Sequence, residues 1–152
     1  MLHMILYVLN AILKKEKNIL IEKNLNNMLK DKRIDIINKK LDELSHSKFR
    51  SSFHLKDDMI EYINSKGLNK VKEHGLDFIK EKLAPSNPKN DGKQTPMKGH
   101  PIFIAQHACA CCCRGCLEKW HHIKKGRELT DNEINYIISL LMEWIKKEKM
   151  NH

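Results

Sequence analysis

The spacing of apolar residues along the chain is helical, and no stretch alternates for long enough to predict a β-sheet. In residues 1–44 apolar positions recur every three or four residues in three successive stripes, and a lysine-rich break follows the first stripe. Residues 45–52 are polar, as is typical of a junction. We therefore predict a helical N-terminal extension at 1–45 and a separate domain at 46–152.

Two helices are predicted at the start of this domain. The first covers 59–63 and should end at Gly67, because glycine readily takes the left-handed conformation that caps helix C-termini. The second covers 68–83 and should end before Pro85, since proline disfavours a helical residue in front of it. Gly75 lies inside the second helix, where glycine costs stability, so we expect another helix to cross closely there.

A turn-rich loop at 85–99 contains three of the four prolines and leads into a cysteine-rich segment, which we expect it to cover. Pro101 suits the first position of a short helix, although a buried strand at 101–105 is an alternative. Arg114-Gly115 predicts a tight turn, and 117–123 should be helical.

The last helix has the clearest start signal in the chain. Thr130 and Glu133 form a capping box, in which each side chain bonds the backbone N–H of the other residue. An apolar face follows: Ile134, Ile137, Ile138, Leu141, Trp144 and Ile145. The predicted fold class is therefore mainly α, a small helical domain with a long loop and a Cys/His-rich turn.

All five cysteines lie within eight residues, and four of the nine histidines flank them. Thiolate and imidazole are the groups that bind zinc and other borderline-soft metals. The cluster consists of Cys109, Cys111, Cys112, Cys113 and Cys116, with His100, His107, His121 and His122 around it. The sequence therefore places the chemistry of the protein between residues 99 and 123.

The Cys113-x-x-Cys116 pair is the strongest metal-binding pattern in the cluster. Such a pair presents two thiolates to one ion, and a tetrahedral site then needs two further ligands. His107 is within reach on one side, and either His121 or Cys112 could complete the set. We therefore predict a metal site, with zinc as the expected ion.

Two further residues of the segment are candidates for the site. His100 precedes His107 by seven residues, which is two turns on the same helical face. Trp120 is most simply a core anchor, and a stacking surface for a base is the alternative.

Other chemistry remains open to the same cysteines, which could be redox thiols, nucleophiles or structural core residues. An iron–sulfur cluster would draw on Cys109, Cys112 or Cys113, and Cys116, but no fourth cysteine lies elsewhere in the chain. A covalent c-type haem needs the pattern CxxCH, and because Leu117 follows Cys116 here, covalent haem attachment is excluded.

Positive charge is concentrated around the cluster. The chain carries a net charge of +9, and the segment 89–127 alone has eight basic and two acidic residues, a net charge of +6. An electropositive surround lowers thiol pKa and attracts anions. The predicted anion-binding residues are Lys98, Arg114, Lys119 and Arg127.

The first 13 residues are apolar but too short to span a bilayer, and they lack the pattern of a signal peptide. We expect a cytoplasmic protein, in which clustered cysteines more often bind metal or perform thiol chemistry than form disulfides. The N-terminal helices could pack on the rest of the domain, pack on a partner chain and give an oligomer, or lie on a membrane surface.

The segment NDGKQTPMKGHPIFIAQHA, followed by CCRGCLEKWHHI, KGRELT and the amphipathic last helix, resembles an uncharacterised bacterial family, domain of unknown function 4186. The resemblance covers about residues 49–147 and implies a small protein without an assigned activity. Cys109 and Cys111 stand where the family pattern has threonine, so the resemblance argues against them as ligands. It supports these family positions: His100, His107, Cys112, Cys113, Cys116, Trp120 and His121.

The sequence leads to one main functional hypothesis and two alternatives. The main hypothesis is a small zinc-binding domain whose basic surface contacts an anionic partner, such as nucleic acid. The first alternative is an enzyme in which an open zinc site, or a thiolate at Cys112, acts beside Arg114 and Lys98 on an anionic substrate. The second is a helical interaction protein with structural cysteines.

Overall fold

A computed structural model describes all residues, 1–152, and contains six α-helices and no strand. The predicted mainly α fold class is therefore confirmed. The helices are α1 (Leu2–Ser45), α2 (Asp57–Lys66), α3 (Leu68–Phe78), α4 (Pro101–Ala108), α5 (Arg114–His121) and α6 (Asp131–Met150). A 3₁₀ turn at Arg50–Ser52 precedes α2, and a π-helical turn at Ile79–Leu83 extends α3.

The chain forms two units, Met1–Asn38 and Lys39–His152. In the first unit α1 is unbroken, so the predicted lysine-rich break is wrong: lysine is a good helix former, and no glycine or proline interrupts the segment. None of the helices combines the length and apolar content needed to cross a membrane. A domain boundary at residue 45 stays a prediction.

The core of the second unit forms where α3 and α4 pack against α6. Ile102 of α4 and Ile137 and Leu141 of α6 are completely buried. The capping box opens α6 as predicted, since the N–H of Glu133 donates to Thr130 and the N–H of Thr130 donates to the Glu133 carboxylate. The predicted apolar face of α6 is buried except at Trp144, which is partly exposed.

The boundaries of α2 and α3 follow the glycine and proline signals. Gly67 separates the two helices with φ 86° and ψ 152°. Its φ is positive, but its ψ is extended, so the predicted left-handed cap is replaced by a sharper turn directly into α3. The helical backbone ends at Leu83, ahead of Pro85.

Gly75 confirms the expected close crossing. A Cβ atom there would lie 2.7 Å from Cδ1 of Ile102 and 2.8 Å from Cδ1 of Ile138, both inside the core. We expect Gly75→Ala to lower the free energy of unfolding by about 1–3 kcal/mol, because overpacking outweighs the gain in helix propensity. Urea denaturation measures the change. Gly115→Ala is the control: its new Cβ would have no neighbour closer than 3.4 Å, so it should leave stability unchanged or raised.

The segment between α4 and α5 differs from the predicted one. The tight turn lies at 109–113 rather than at Arg114-Gly115, because Ala110 takes a left-handed backbone with φ 56°. Cys113 is the N-cap of α5, and Arg114 is the first residue of that helix. The helix ends at His121, and His122 follows with φ 57°, so α5 is shorter at its C-terminus than predicted.

Candidate metal centre

The turn between α4 and α5 brings three thiols together. The sulfur atoms of Cys112, Cys113 and Cys116 all lie within 4.8 Å of one another. Sγ of Cys116 is 3.2 Å from Sγ of Cys113 and 3.6 Å from Sγ of Cys112. Because Cys113 is the N-cap of α5, its sulfur also accepts a hydrogen bond from the backbone N–H of Cys116 at 3.4 Å. All three side chains are partly exposed.

These distances suit a tetrahedral thiolate site. A Zn–S bond of about 2.3 Å with tetrahedral angles places two sulfur ligands roughly 3.8 Å apart. The two sulfur–sulfur distances of 3.2 and 3.6 Å need to lengthen only slightly to reach that spacing. The three-cysteine cluster, defined as Cys112, Cys113 and Cys116, can therefore hold a metal ion.

Arg50 lies against this cluster and was not predicted from the sequence. Its guanidinium donates to Sγ of Cys116 at 3.2 Å and to Sγ of Cys112 at 3.6 Å, and it also donates to the carbonyl of His107 at 2.6 Å. The residue comes from the 3₁₀ turn, far from the cluster in sequence, and is only 8% exposed. Burial works to lower the pKa of Arg50, but the hydrogen bonds to the two thiols outweigh it, so the pKa is raised.

Three of the five thiols have a raised pKa. Cys109 and Cys111 are fully buried, and desolvation raises the pKa of both thiols far above the ordinary value, so they remain neutral. In the three-cysteine cluster, the hydrogen bond to Cys113 raises the pKa of Cys112, while Cys116 and Arg50 oppose the shift. Cys109 and Cys111 lie outside the group of thiols that could hold a metal ion.

His107 does not lie in the three-cysteine cluster. Its Nε2 atom is 3.2 Å from the carbonyl oxygen of Thr95 and 3.1 Å from that of Pro96. Its ring stacks on Phe53 at a centroid distance of 5.4 Å. Through Nε2 the imidazole therefore joins the loop 85–99 to α4.

His121 is likewise engaged elsewhere. Its Nδ1 lies 2.8 Å from the hydroxyl of Tyr136, and its Nε2 lies 2.8 Å from the carbonyl oxygen of Cys109. Burial lowers the pKa of His121 to about 4, so the ring is neutral near pH 7. A neutral ring that donates from Nε2 and accepts at Nδ1 satisfies both contacts, which leaves no free nitrogen for a ligand role.

The loop 85–99 lies against the cluster, as expected from the sequence. The hydroxyl of Thr95 donates to the carbonyl of Cys112 at 2.8 Å. The carboxylate of Asp91 accepts the backbone N–H of Arg114 at 3.1 Å, at the start of α5. Two hydrogen bonds therefore join the loop to the turn that carries the three thiols.

His100 caps a helix. Its Nδ1 accepts the backbone N–H of Ile102 at 3.1 Å, and its Nε2 lies 3.1 Å from Nδ1 of His74. The remaining contacts of the ring are aromatic, with Tyr62 and Phe78 edge-on at 5.3 and 5.2 Å. His74, which the sequence marked only as an isolated histidine, is thus the half-buried partner of the buried His100.

We expect His100 to make stability depend on pH. Burial and the neighbouring His74 lower the pKa of His100 from 6.5 to about 4. Between these pH values the unfolded chain binds more protons, so the free energy of unfolding should fall as the pH is lowered through this window. His100→Asn should retain the cap and weaken this dependence. Urea denaturation at several pH values tests it, and His3→Asn, at an exposed position, should leave the pH profile unchanged.

The predicted anion-binding residues occupy three different environments. The predicted anion-binding role of Arg114 is corrected, because its side chain is 1% exposed and not available to an anion. Its guanidinium donates instead to four backbone carbonyls, those of Leu83, Pro85, Lys124 and Arg127. Arg127 forms a bidentate ion pair with Glu133 at 2.6 and 2.7 Å. Lys98 and Lys119 are exposed.

Trp120 is neither fully buried nor fully exposed. Its backbone carbonyl accepts the ammonium group of Lys40 at 2.9 Å. This bond ties the end of α5 to the last turns of α1 within the second unit.

A family model, Domain of unknown function (DUF4186), matches residues 38–146. The chain belongs to this family. The match contains the three-cysteine cluster, the loop 85–99 and Arg50, and it begins about ten residues earlier than the sequence motifs suggested. No solved structure matches the chain. A proposal about the function of this DUF4186 domain therefore rests on the geometry of the three-cysteine cluster and its neighbours.

Proposed function

We propose that this DUF4186 domain is a small zinc-binding domain whose basic surface contacts an anionic partner, such as nucleic acid. The observation that carries the metal part is the convergence of Cys112, Cys113 and Cys116 within 4.8 Å, with Arg50 against two of the sulfurs. Thiolate ligands and a near-tetrahedral spacing favour zinc among the common metal ions.

The charges of the proposed site support this assignment. Three thiolates around a divalent ion leave a net charge of −1, and the guanidinium of Arg50, with its hydrogen bonds to two sulfurs, offsets it. Donors in the second shell of a metal site commonly orient the ligands and stabilise their charge in this way. The three-cysteine cluster fills three positions of a tetrahedral ion, and a donor from outside the cluster would take the fourth.

The partner part of the proposal rests on exposed positive charge. Seven of the eight basic residues between 89 and 127 are exposed: Lys89, Lys93, Lys98, Lys119, Lys124, Lys125 and Arg127. Apart from Arg127, none of them forms an ion pair with an acidic side chain. Unpaired lysines of this kind attract polyanions over a distance set by the ionic strength.

Elemental analysis of protein purified without a metal-affinity tag tests the metal part. We expect about one zinc ion per chain, as a single tetrahedral thiolate site would hold. Thiol titration should run in parallel: the three cluster thiols should react only after a chelator is added, while Cys109 and Cys111 should stay protected until the chain unfolds. Absence of metal together with three immediately reactive thiols would contradict the proposal.

Titration with a mixed-sequence DNA duplex and an RNA hairpin tests the partner part. Fluorescence anisotropy should give an affinity that falls steeply with salt, because each lysine–phosphate contact releases bound counterions. Failure to bind either probe even at low salt would remove nucleic acid as the partner and leave the metal part untouched.

A dithiol function is a second candidate, and one observation favours it. Cys113 is the N-cap of α5, and Cys116 lies one turn later with its sulfur 3.2 Å away. Two thiols at this separation, one of them at the start of a helix, suit a redox pair. Equilibration with glutathione buffers would distinguish a redox function from a zinc site. In metal-free protein a redox pair should form a reversible Cys113–Cys116 disulfide, and in the zinc-bound form the same two thiols should resist oxidation.

A further inference from the structure

The N-terminal end of α1 carries an apolar face on which nothing packs. The first 36 residues of the chain are all exposed. At about 100° per residue, six large side chains between residues 2 and 13 fall in a sector of roughly 120°. They are Leu2 (75% exposed), Ile5 (51%), Leu6 (50%), Leu9 (49%), Ile12 (48%) and Leu13 (61%), called here the 2–13 face.

A surface of this kind points to an interaction. Single exposed leucines are ordinary, but a contiguous apolar strip over three helical turns marks a protein- or membrane-binding surface. Glu16 falls in the same sector and separates the face from Leu20, the next exposed leucine of that sector. The face lies within the unit Met1–Asn38.

The charges beside the 2–13 face identify the kind of partner. Lys14, Lys15 and Lys17 follow it directly, and Lys15 and Lys17 flank its two sides at helical spacing. Residues 1–15 contain no aspartate or glutamate. Packed in parallel through this face, a second copy of the helix would place Lys15 and Lys17 near lysine and Glu16 near Glu16, and packed antiparallel it would place the lysines near uncharged residues. Anionic lipid headgroups supply the missing negative charge.

We propose that residues 2–17 of α1 lie along the surface of an anionic membrane. The 2–13 face enters the boundary between headgroups and acyl chains, and Lys15 and Lys17 extend their apolar stems beside it with the ammonium groups among the headgroups. The helix lies on the bilayer and does not cross it, which agrees with the absence of a spanning helix. This proposal is independent of the proposed metal site.

Cosedimentation of the full chain with lipid vesicles tests the proposal. Vesicles of equimolar phosphatidylglycerol and phosphatidylcholine should bind the protein, pure phosphatidylcholine vesicles should bind it much more weakly, and salt should reduce the difference. Equal binding to both vesicle types, or binding to neither, would overturn the proposal.

Matched variants separate the apolar face from the lysines. Leu6→Glu with Leu9→Glu should weaken binding by more than about tenfold, because two leucines that would enter the bilayer are lost. Leu25→Glu with Leu29→Glu is the control, since it makes the same change of charge at exposed positions of the same helix outside the face. Lys15→Gln with Lys17→Gln keeps the face intact and should weaken binding to the anionic vesicles by about fivefold for each lysine.

Sedimentation equilibrium completes the test. If the 2–13 face binds a second copy, the chain should be a dimer that Leu6→Glu with Leu9→Glu dissociates, and vesicle binding should be the same for both double-glutamate variants. That result would overturn the membrane proposal. Circular dichroism of each variant checks that α1 remains helical, and if the leucine variant loses its helix, the lysine variant alone decides.

Discussion

Cys113→Ser combined with Cys116→Ser is expected to abolish zinc binding by this DUF4186 domain. Serine retains the size of cysteine but replaces the thiolate with a poor zinc ligand, so only Cys112 of the three-cysteine cluster would remain. The loss of affinity should exceed the 10–100-fold that removal of an outer-shell partner costs. Competition with a chromogenic chelator measures the affinity of the parent chain and shows its loss in the variant.

The same change should remove a part of the stability that depends on metal. Zinc that binds only the folded chain stabilises it by about 4 kcal/mol at a free concentration 1,000 times the dissociation constant. The parent chain should therefore unfold at a higher temperature when zinc is added, and the double variant should not respond. Zinc-independent unfolding of both proteins would count against a metal at this cluster.

Cys109→Ala provides the matched control. This thiol is completely buried and lies outside the three-cysteine cluster, so the variant should bind zinc with the parent affinity. It should still lose some stability, because removal of a buried sulfur leaves a small cavity. A loss of zinc from this variant would mean that the metal ligands have been assigned to the wrong cysteines.

Periodicity and local signals predicted the helices well because these features act within a few residues. The capping box at Thr130, the proline at Pro101 and the apolar spacing of α6 each determine a local conformation that the structure shows. The one large error in the helices is the predicted break in α1. The break was predicted from a run of lysines, but lysine is a good helix former, and only glycine and proline strongly disfavour a helix.

The histidines show why the site could be predicted only in part. Cysteines three residues apart meet on one helical turn, so Cys113 and Cys116 were found from spacing alone. His107 and His121 were proposed as ligands from their nearness in sequence, but their ring nitrogens contact backbone carbonyls and a tyrosine hydroxyl. Those hydrogen-bond partners are set by how the loop and helices pack, which no local pattern records.

The arginines carry a signal that sequence reasoning could have used. The chain has 28 basic residues, of which only four are arginines, and three of these four make several hydrogen bonds with a single guanidinium. Arginine offers a planar fork of donors that lysine lacks. In a chain this rich in lysine, an arginine therefore marks a place where donor geometry matters, and Arg50 is the one that meets the thiols.

Arg50→Met is expected to weaken zinc binding by about 10–100-fold, as removal of an outer-shell partner generally does. Methionine keeps much of the apolar stem but removes the donors to Sγ of Cys112 and Cys116 and the positive charge beside them. Arg50→Lys should lie between the parent and Arg50→Met, because it restores the charge without the fork. Chelator competition gives all three affinities, and Arg33→Met, at an exposed position in α1, is the control.

Arg50 also donates to the carbonyl of His107, so its loss could act through the fold alone. Stability and affinity separate the two roles. A purely structural arginine would lower the free energy of unfolding of the metal-free chain equally in both variants and leave the zinc affinity of the folded protein unchanged. An arginine that stabilises the thiolates should order the affinities as parent, lysine variant and methionine variant, because the charge and the directed hydrogen bonds contribute separately.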